Sequence, residues 1–83
     1  MPTVKRIGGL RVVVYPNDHR PAHVHVIGDG REAVFNLRCP DGPPELRENY
    51  GFPRQVLGEI KGYLAGDLTH LCAEWRRIHG SGQ

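Results

Sequence analysis

The chain has 83 residues, a net charge of +2 at neutral pH, and 24% charged and 39% hydrophobic residues. A chain this short forms one domain with a small core, and its balanced charge argues against an extended basic surface for nucleic acid, although a local RNA contact remains compatible. No segment approaches the roughly 20 apolar residues of a membrane span, and the two cysteines form no C-x-x-C pair. We expect a single soluble cytoplasmic domain over residues 1–83, with free thiols.

The first half of the sequence predicts an antiparallel meander of three or four strands. β-Branched and aromatic residues are concentrated in its strand segments, and glycine, proline and Asx residues separate them. Gly28-Asp29-Gly30 is a tight hairpin connection. The segment 45–50 is compatible with either a short strand or a turn of helix. The predicted strands cover residues 3–6, 10–15, 23–27 and 31–37.

After a proline-rich loop at residues 39–44, the apolar residues recur at helical spacing, which predicts a helical element with Pro53 in its first turn and Gly80 as its end. Gly66 and Asp67 are compatible with a break, with Asp67 capping a second helix. The apolar register runs through Gly66 without a slip, so one long helix, kinked there at most, is the favoured prediction. Its apolar stripe comprises Leu57, Ile60, Leu64, Leu68, Leu71, Trp75 and Ile78, widened by Val56, Tyr63 and Cys72.

The predicted fold class is therefore α+β, with a sheet of three to four strands packed on one C-terminal helix. Strand alternation places one set of side chains toward the helix and another on an uncovered face. The predicted core set is Leu10, Val12, Val14, Val24, Val26, Ala33, Phe35 and Leu37. The predicted uncovered set is Arg11, Val13, Tyr15, His23, His25, Val34 and Asn36.

The segment Asn17-Asp18-His19-Arg20-Pro21-Ala22-His23-Val24-His25-Val26 holds three of the five histidines. His23 and His25 alternate with valines, so both imidazoles are expected on one face of a strand. Adjacent imidazoles titrate near neutral pH and bind phosphate or metal ions. The segment is the strongest candidate for a functional site.

The same segment, with Arg6-Ile7-Gly8-Gly9 before it, Glu32-Ala33 after the hairpin and Asn49-Tyr50-Gly51-Phe52 before the helix, resembles the domain-of-unknown-function family four-one-six-zero. The resemblance spans nearly the whole chain and includes Met1-Pro2-Thr3-Val4 and Trp75. It implies a bacterial protein of a toxin–antitoxin-like pair. It supplies neither a tested activity nor catalytic residues.

A metal site is one interpretation of the histidines. His23 and His25 lie on one strand face at chelating distance, and Asp18 and His19 supply further ligands from the turn. Imidazole and carboxylate donors suit zinc, nickel or iron. This interpretation describes a non-catalytic domain that binds Zn²⁺ or Ni²⁺.

Metal-free acid–base chemistry on RNA is a second interpretation. His23 and His25 would serve as the acid and the base, Arg11 would hold the phosphate, and Tyr15 would stack or donate. If the protein is an enzyme, it would be a small metal-independent ribonuclease.

A third interpretation is a binding module whose uncovered face docks a small antitoxin-like partner protein or a second copy of the chain. The structural alternative is that backbone groups or Glu32 satisfy His23 and His25. We take as the leading hypothesis a partner-binding and RNA-binding component of a toxin–antitoxin-like pair, with metal binding as the alternative.

Overall fold

The structure is a computed structural model that describes residues 3–80. It confirms an α+β fold, in which an antiparallel sheet packs against C-terminal helices. The sheet has five strands rather than three or four, and two helices replace the single long one. The elements are β1 (Thr3–Ile7), β2 (Leu10–Val13), β3 (His23–Gly28), β4 (Arg31–Asn36), β5 (Glu45–Tyr50), α1 (Arg54–Gly66) and α2 (Leu68–His79).

The sheet is a simple meander in which each strand pairs antiparallel with the next, in the order β1-β2-β3-β4-β5. The connection from β3 to β4 is Asp29-Gly30, and both residues have positive φ, 53° and 72°. Such angles are typical of a type I′ turn, whose twist matches that of the flanking strands. Gly28 lies against β2, because a Cβ there would come within 2.5 Å of the Leu10 side chain.

Residues 45–50, whose sequence is compatible with a strand or a turn of helix, form β5, the edge strand beside β4. All six of its residues are exposed, so its sequence carries no apolar alternation from which a half-buried strand is recognised. A bulge falls where Val34 pairs with Glu48 but the next residue, Phe35, pairs with Leu46. Arg47 is the extra residue of the bulge.

The helical element breaks at Asp67, whose backbone (φ −124°, ψ 22°) leaves the helical range. The prediction of one continuous helix is therefore wrong. Asp67 makes no side-chain cap; its carboxylate instead lies 3.5 Å from Lys5 Nζ on β1. Asp67 alone separates the two helices, so the helical spacing of apolar residues continues from Leu64 to Leu71.

Both helices cover the same face of the sheet. The predicted core residues of the sheet are buried there, except Leu10, which is partly buried. Tyr63 was expected on the apolar stripe, but its side chain is exposed. The core cluster comprises Val12, Val14, Val24, Val26, Ala33, Phe35, Leu37, Phe52, Ile60, Leu64, Leu71, Cys72 and Trp75.

Cys39 and Cys72 form a disulfide that ties the β4–β5 loop to α2, with their Cα atoms 6.0 Å apart. The prediction of free thiols is wrong, because the loop folds back over α2 and brings together cysteines 33 positions apart. The expected cytoplasmic location loses the support that free thiols gave it. In the described residues no helix combines the length and apolarity that a bilayer span requires.

Candidate metal centre

Strand β3 directs His23 and His25 to the side of the sheet opposite Val24 and Val26, as alternation predicts. We call this side the histidine face and define it by Val13, His23, His25, Val34 and Asn36, which are joined by strand pairing. The face was expected to be uncovered, but His23, Val13 and Val34 are 5%, 0% and 4% exposed.

The β2–β3 loop explains this burial, because it folds back over the histidine face. The turn is closed by Asp18 N donating to Tyr15 O at 3.0 Å and by Tyr15 N donating to Asp18 Oδ2 at 3.3 Å. Aspartate favours such turns because its side chain bonds its own neighbouring backbone. The turn holds the Asp18 carboxylate over the two imidazoles.

The two imidazoles converge on one oxygen of the Asp18 carboxylate. Asp18 Oδ2 lies 3.3 Å from His23 Nε2 and 3.1 Å from His25 Nε2. One ligand atom from each residue falls within 4.8 Å of the others. The group has the composition of a two-histidine, one-carboxylate metal site.

The opposite nitrogen of each ring is held by an oxygen acceptor. His23 Nδ1 lies 2.8 Å from the Pro21 carbonyl oxygen, and His25 Nδ1 lies 2.9 Å from Glu32 Oε2. Each Nδ1 therefore carries a proton that it donates to its acceptor. Both Nε2 atoms face the Asp18 carboxylate, as lone pairs in neutral rings or as N–H donors in protonated rings. Either a cation or ring protons therefore lie between these groups.

Aromatic side chains hold the two imidazoles in place. The Tyr15 ring meets His25 edge-on with centroids 4.6 Å apart, and the His23 and Trp75 rings are 5.3 Å apart. Trp75 belongs to α2, so the helix layer contacts the site at His23, the first residue of the central strand β3. Trp75 also stacks on His79, at 3.7 Å between centroids. Packing of this kind reduces the freedom of ligand side chains.

The structure brings together three of the four predicted metal ligands. Asp18, His23 and His25 form the group, whereas His19 is exposed and lies outside it. Tyr15 packs on His25 as a wall of the site. Arg11 pairs with Arg6 of β1 and with Ile27 of β3, so neither of its cross-strand partners is a histidine.

Two contacts, from Glu32 and from a backbone carbonyl, are those that the structural alternative proposed. Protonated rings that donate Nε2–H to Asp18 also fit that alternative, whereas neutral rings leave two converging Nε2 lone pairs for a cation. The helical spacing predicts Trp75 only as a core residue. Its role beside His23 had no signal in sequence spacing, because it depends on where α2 ends over the sheet.

Asn36 is a further polar residue beside the site. It pairs with His23 across β3 and β4, so both side chains lie on the histidine face. Its Oδ1 atom is buried and has no hydrogen-bond partner among the described residues. An amide oxygen in this position is available to a ligand of the adjacent site.

Together, these features define a small α+β domain with a cluster of two imidazoles and a carboxylate that could hold a metal ion. Residues 9–76 match the family described as Domain of unknown function (DUF4160), and the chain belongs to that family. The resemblance stated from its motifs is thereby confirmed. Comparison with curated proteins and with solved structures yields no match.

Proposed function

We propose that this protein binds a divalent transition-metal ion, Zn²⁺ or Ni²⁺, through Asp18, His23 and His25. The observation that carries the proposal is the convergence of both Nε2 atoms on Asp18 Oδ2 while both Nδ1 atoms are held by acceptors. Metal-ligating histidines characteristically donate the remaining ring N–H to a carboxylate or a backbone carbonyl. Glu32 and Pro21 supply those two acceptors.

The separations suit a tetrahedral ion. Ligand bonds of 2.0–2.2 Å in a tetrahedral arrangement place neighbouring ligand atoms about 3.4 Å apart. The two distances from Asp18 Oδ2, 3.3 and 3.1 Å, are close to that value. The nitrogen–nitrogen separation is at most 4.8 Å.

Three protein ligands leave a coordination position open in a tetrahedral site. The buried Oδ1 atom of Asn36 is positioned beside His23 to accept a hydrogen bond from a water molecule at that position. We therefore propose that Asn36 orients the fourth ligand.

The metal-free ribonuclease interpretation has weaker support. An acid–base pair needs a ring nitrogen that reaches the substrate, yet both Nε2 atoms face Asp18, both Nδ1 atoms face other acceptors, and the two side chains taken alone are only 7% and 15% exposed. Arg11 pairs with Ile27, two positions along β3 from His25. A toxin–antitoxin-like role, with a small partner protein and RNA as ligands, stays a prediction.

Isothermal titration of the full chain with Zn²⁺, Ni²⁺ and Mg²⁺ at neutral pH tests the metal proposal. We expect one equivalent of Zn²⁺ or Ni²⁺ to bind and Mg²⁺ not to bind, because Mg²⁺ prefers oxygen ligands. The variant Asp18→Asn should bind much more weakly, since it removes the anionic ligand. Equal binding by the wild type and by Asp18→Asn would contradict the proposed site.

A further inference from the structure

A groove between β5 and α1 lies on the helix-covered side of the sheet, away from the metal centre. It has a volume of about 390 Å³ and is lined by the apolar side chains of Phe35, Leu46, Phe52 and Leu57. Leu46 is 42% exposed, so part of its aliphatic side chain is accessible in the groove. α1 thus leaves the outer part of the β5 face uncovered.

Two cations border this groove. Arg54 and Lys61 lie on α1 at positions two helical turns apart, and both line the groove. No ion pair joins either of them to another residue in the part of the chain that the structure describes. The first turn of α1 contains no acidic residue. Both positive charges therefore remain available to a ligand.

The bulge in β5 keeps carboxylates out of the groove. Glu45 pairs with Asn36 and Glu48 with Val34, which belong to the histidine face, so the two acidic side chains lie on the opposite side. Leu46 pairs instead with the core residue Phe35. The groove side of β5 therefore carries Leu46 and the uncharged Asn49, and the charge of the groove is set by the cations of α1.

The wall between β5 and α1 is preformed. Asn49 Nδ2 donates to Phe52 O at 3.0 Å, and Phe52 N donates to Asn49 Oδ1 at 3.1 Å. This pair of hydrogen bonds fixes the turn into α1 and holds Phe52 in the groove wall. A rigid apolar wall lowers the entropic cost of binding.

We propose that the β5–α1 groove binds an acidic segment of a partner protein, with an aliphatic side chain inserted beside Leu46 and carboxylates paired with Arg54 and Lys61. Charge complementarity selects this occupant, because a basic segment would meet two unpaired cations. The inserted side chain supplies the affinity, and the two ion pairs supply the specificity. The proposal does not depend on metal binding.

The test uses the isotopically labelled full chain and two short capped peptides, each with two leucines, one with aspartates and one with lysines at the other positions. We expect the aspartate peptide alone to shift the amide signals of β5 and of the first half of α1. Lys61→Glu and Leu46→Ser should each weaken that binding at least about tenfold. Arg76→Glu, an exposed charge reversal on α2, is the matched control and should bind within about twofold of the wild type.

Three outcomes would overturn the proposal. The first is equal binding of the lysine peptide, and the second is the absence of shifts in β5 and α1 with the aspartate peptide. The third is a dimer in sedimentation that Leu46→Ser dissociates, which would assign the groove to a second copy of the chain. Folding of each variant is checked from the dispersion of its amide spectrum.

Discussion

Replacement of Asp18 by asparagine should abolish most of the stabilisation that zinc gives this protein. Asp18 is the only anionic member of the proposed ligand group, and its Oδ2 atom contacts both Nε2 atoms. Asparagine has nearly the same size and retains an oxygen that accepts from Tyr15 N, so the turn should survive. The variant therefore separates the charge from the loop geometry.

The expected magnitude follows from binding linkage. Zinc at a free concentration of 100 times its Kd stabilises the wild type by about 2.7 kcal/mol, which raises Tm by about 10 to 20 °C in a domain of this size. If Asp18→Asn weakens binding about 100-fold, the same zinc concentration adds about 0.4 kcal/mol, or about 2 to 3 °C.

The assay is thermal unfolding of the full chain, followed by circular dichroism at neutral pH with and without Zn²⁺. His19→Asn is the matched control, because His19 lies in the same loop but is exposed and outside the ligand group. It should retain the whole rise in Tm. Three outcomes would contradict the proposed ligand group. They are a full zinc-induced rise in Tm for Asp18→Asn, no such rise for His19→Asn, and a wild-type Tm that zinc does not change.

Three further predictions concern groups around the site and the edge of the sheet. Glu32→Gln should weaken zinc binding by about 10- to 100-fold in calorimetry, because the carboxylate orients the His25 ring, whereas unchanged affinity would remove Glu32 from the site. Cys39→Ser should lower the free energy of unfolding in urea by about 4 kcal/mol, since the disulfide closes a long loop, and a loss below about 1 kcal/mol would contradict this. The carboxylate of Glu48 accepts a hydrogen bond from the Tyr50 hydroxyl and raises the pKa of Tyr50 above its ordinary value of 10.0. The stabilisation from this contact is fully present below about pH 10 and is lost as the pH rises through the pKa of the folded state. Glu48→Gln should lower that pKa in an ultraviolet titration, and an unchanged tyrosine titration would count against the contact.

Local periodicity predicted the main elements of the fold correctly. Alternation along residues 10–14, 23–27 and 31–37 identified the core face of the sheet, because side chains on a strand point to opposite sides in turn. Spacings of three and four identified the helical face that covers it. The strand β5 was left undecided for the same physical reason, since an exposed edge strand has no buried face to impose a pattern.

The disulfide and the contact of Asp67 with Lys5 join distant parts of the chain, although Gly66 and Asp67 alone were already compatible with a break. The Asp67 carboxylate lies near Lys5 on β1 rather than capping α2, and the helix ends although its apolar register continues. Cys39 and Cys72 meet because the β4–β5 loop folds back onto α2. Neither contact produces a signal in a window of neighbouring residues.

The sequence by itself determined which residue types were available for a site and that His23 and His25 share one face, because strand alternation is a local property of the backbone. Only the tertiary structure decided which of Asp18 and His19 joins them, because that choice depends on how the β2–β3 loop folds over the sheet. The contact of Glu32 with His25 across the hairpin was one of the sequence-based alternatives, whereas the packing of Trp75 from α2 against His23 came only from the tertiary structure. A ligand group requires convergence in three dimensions, and convergence is set by packing between elements.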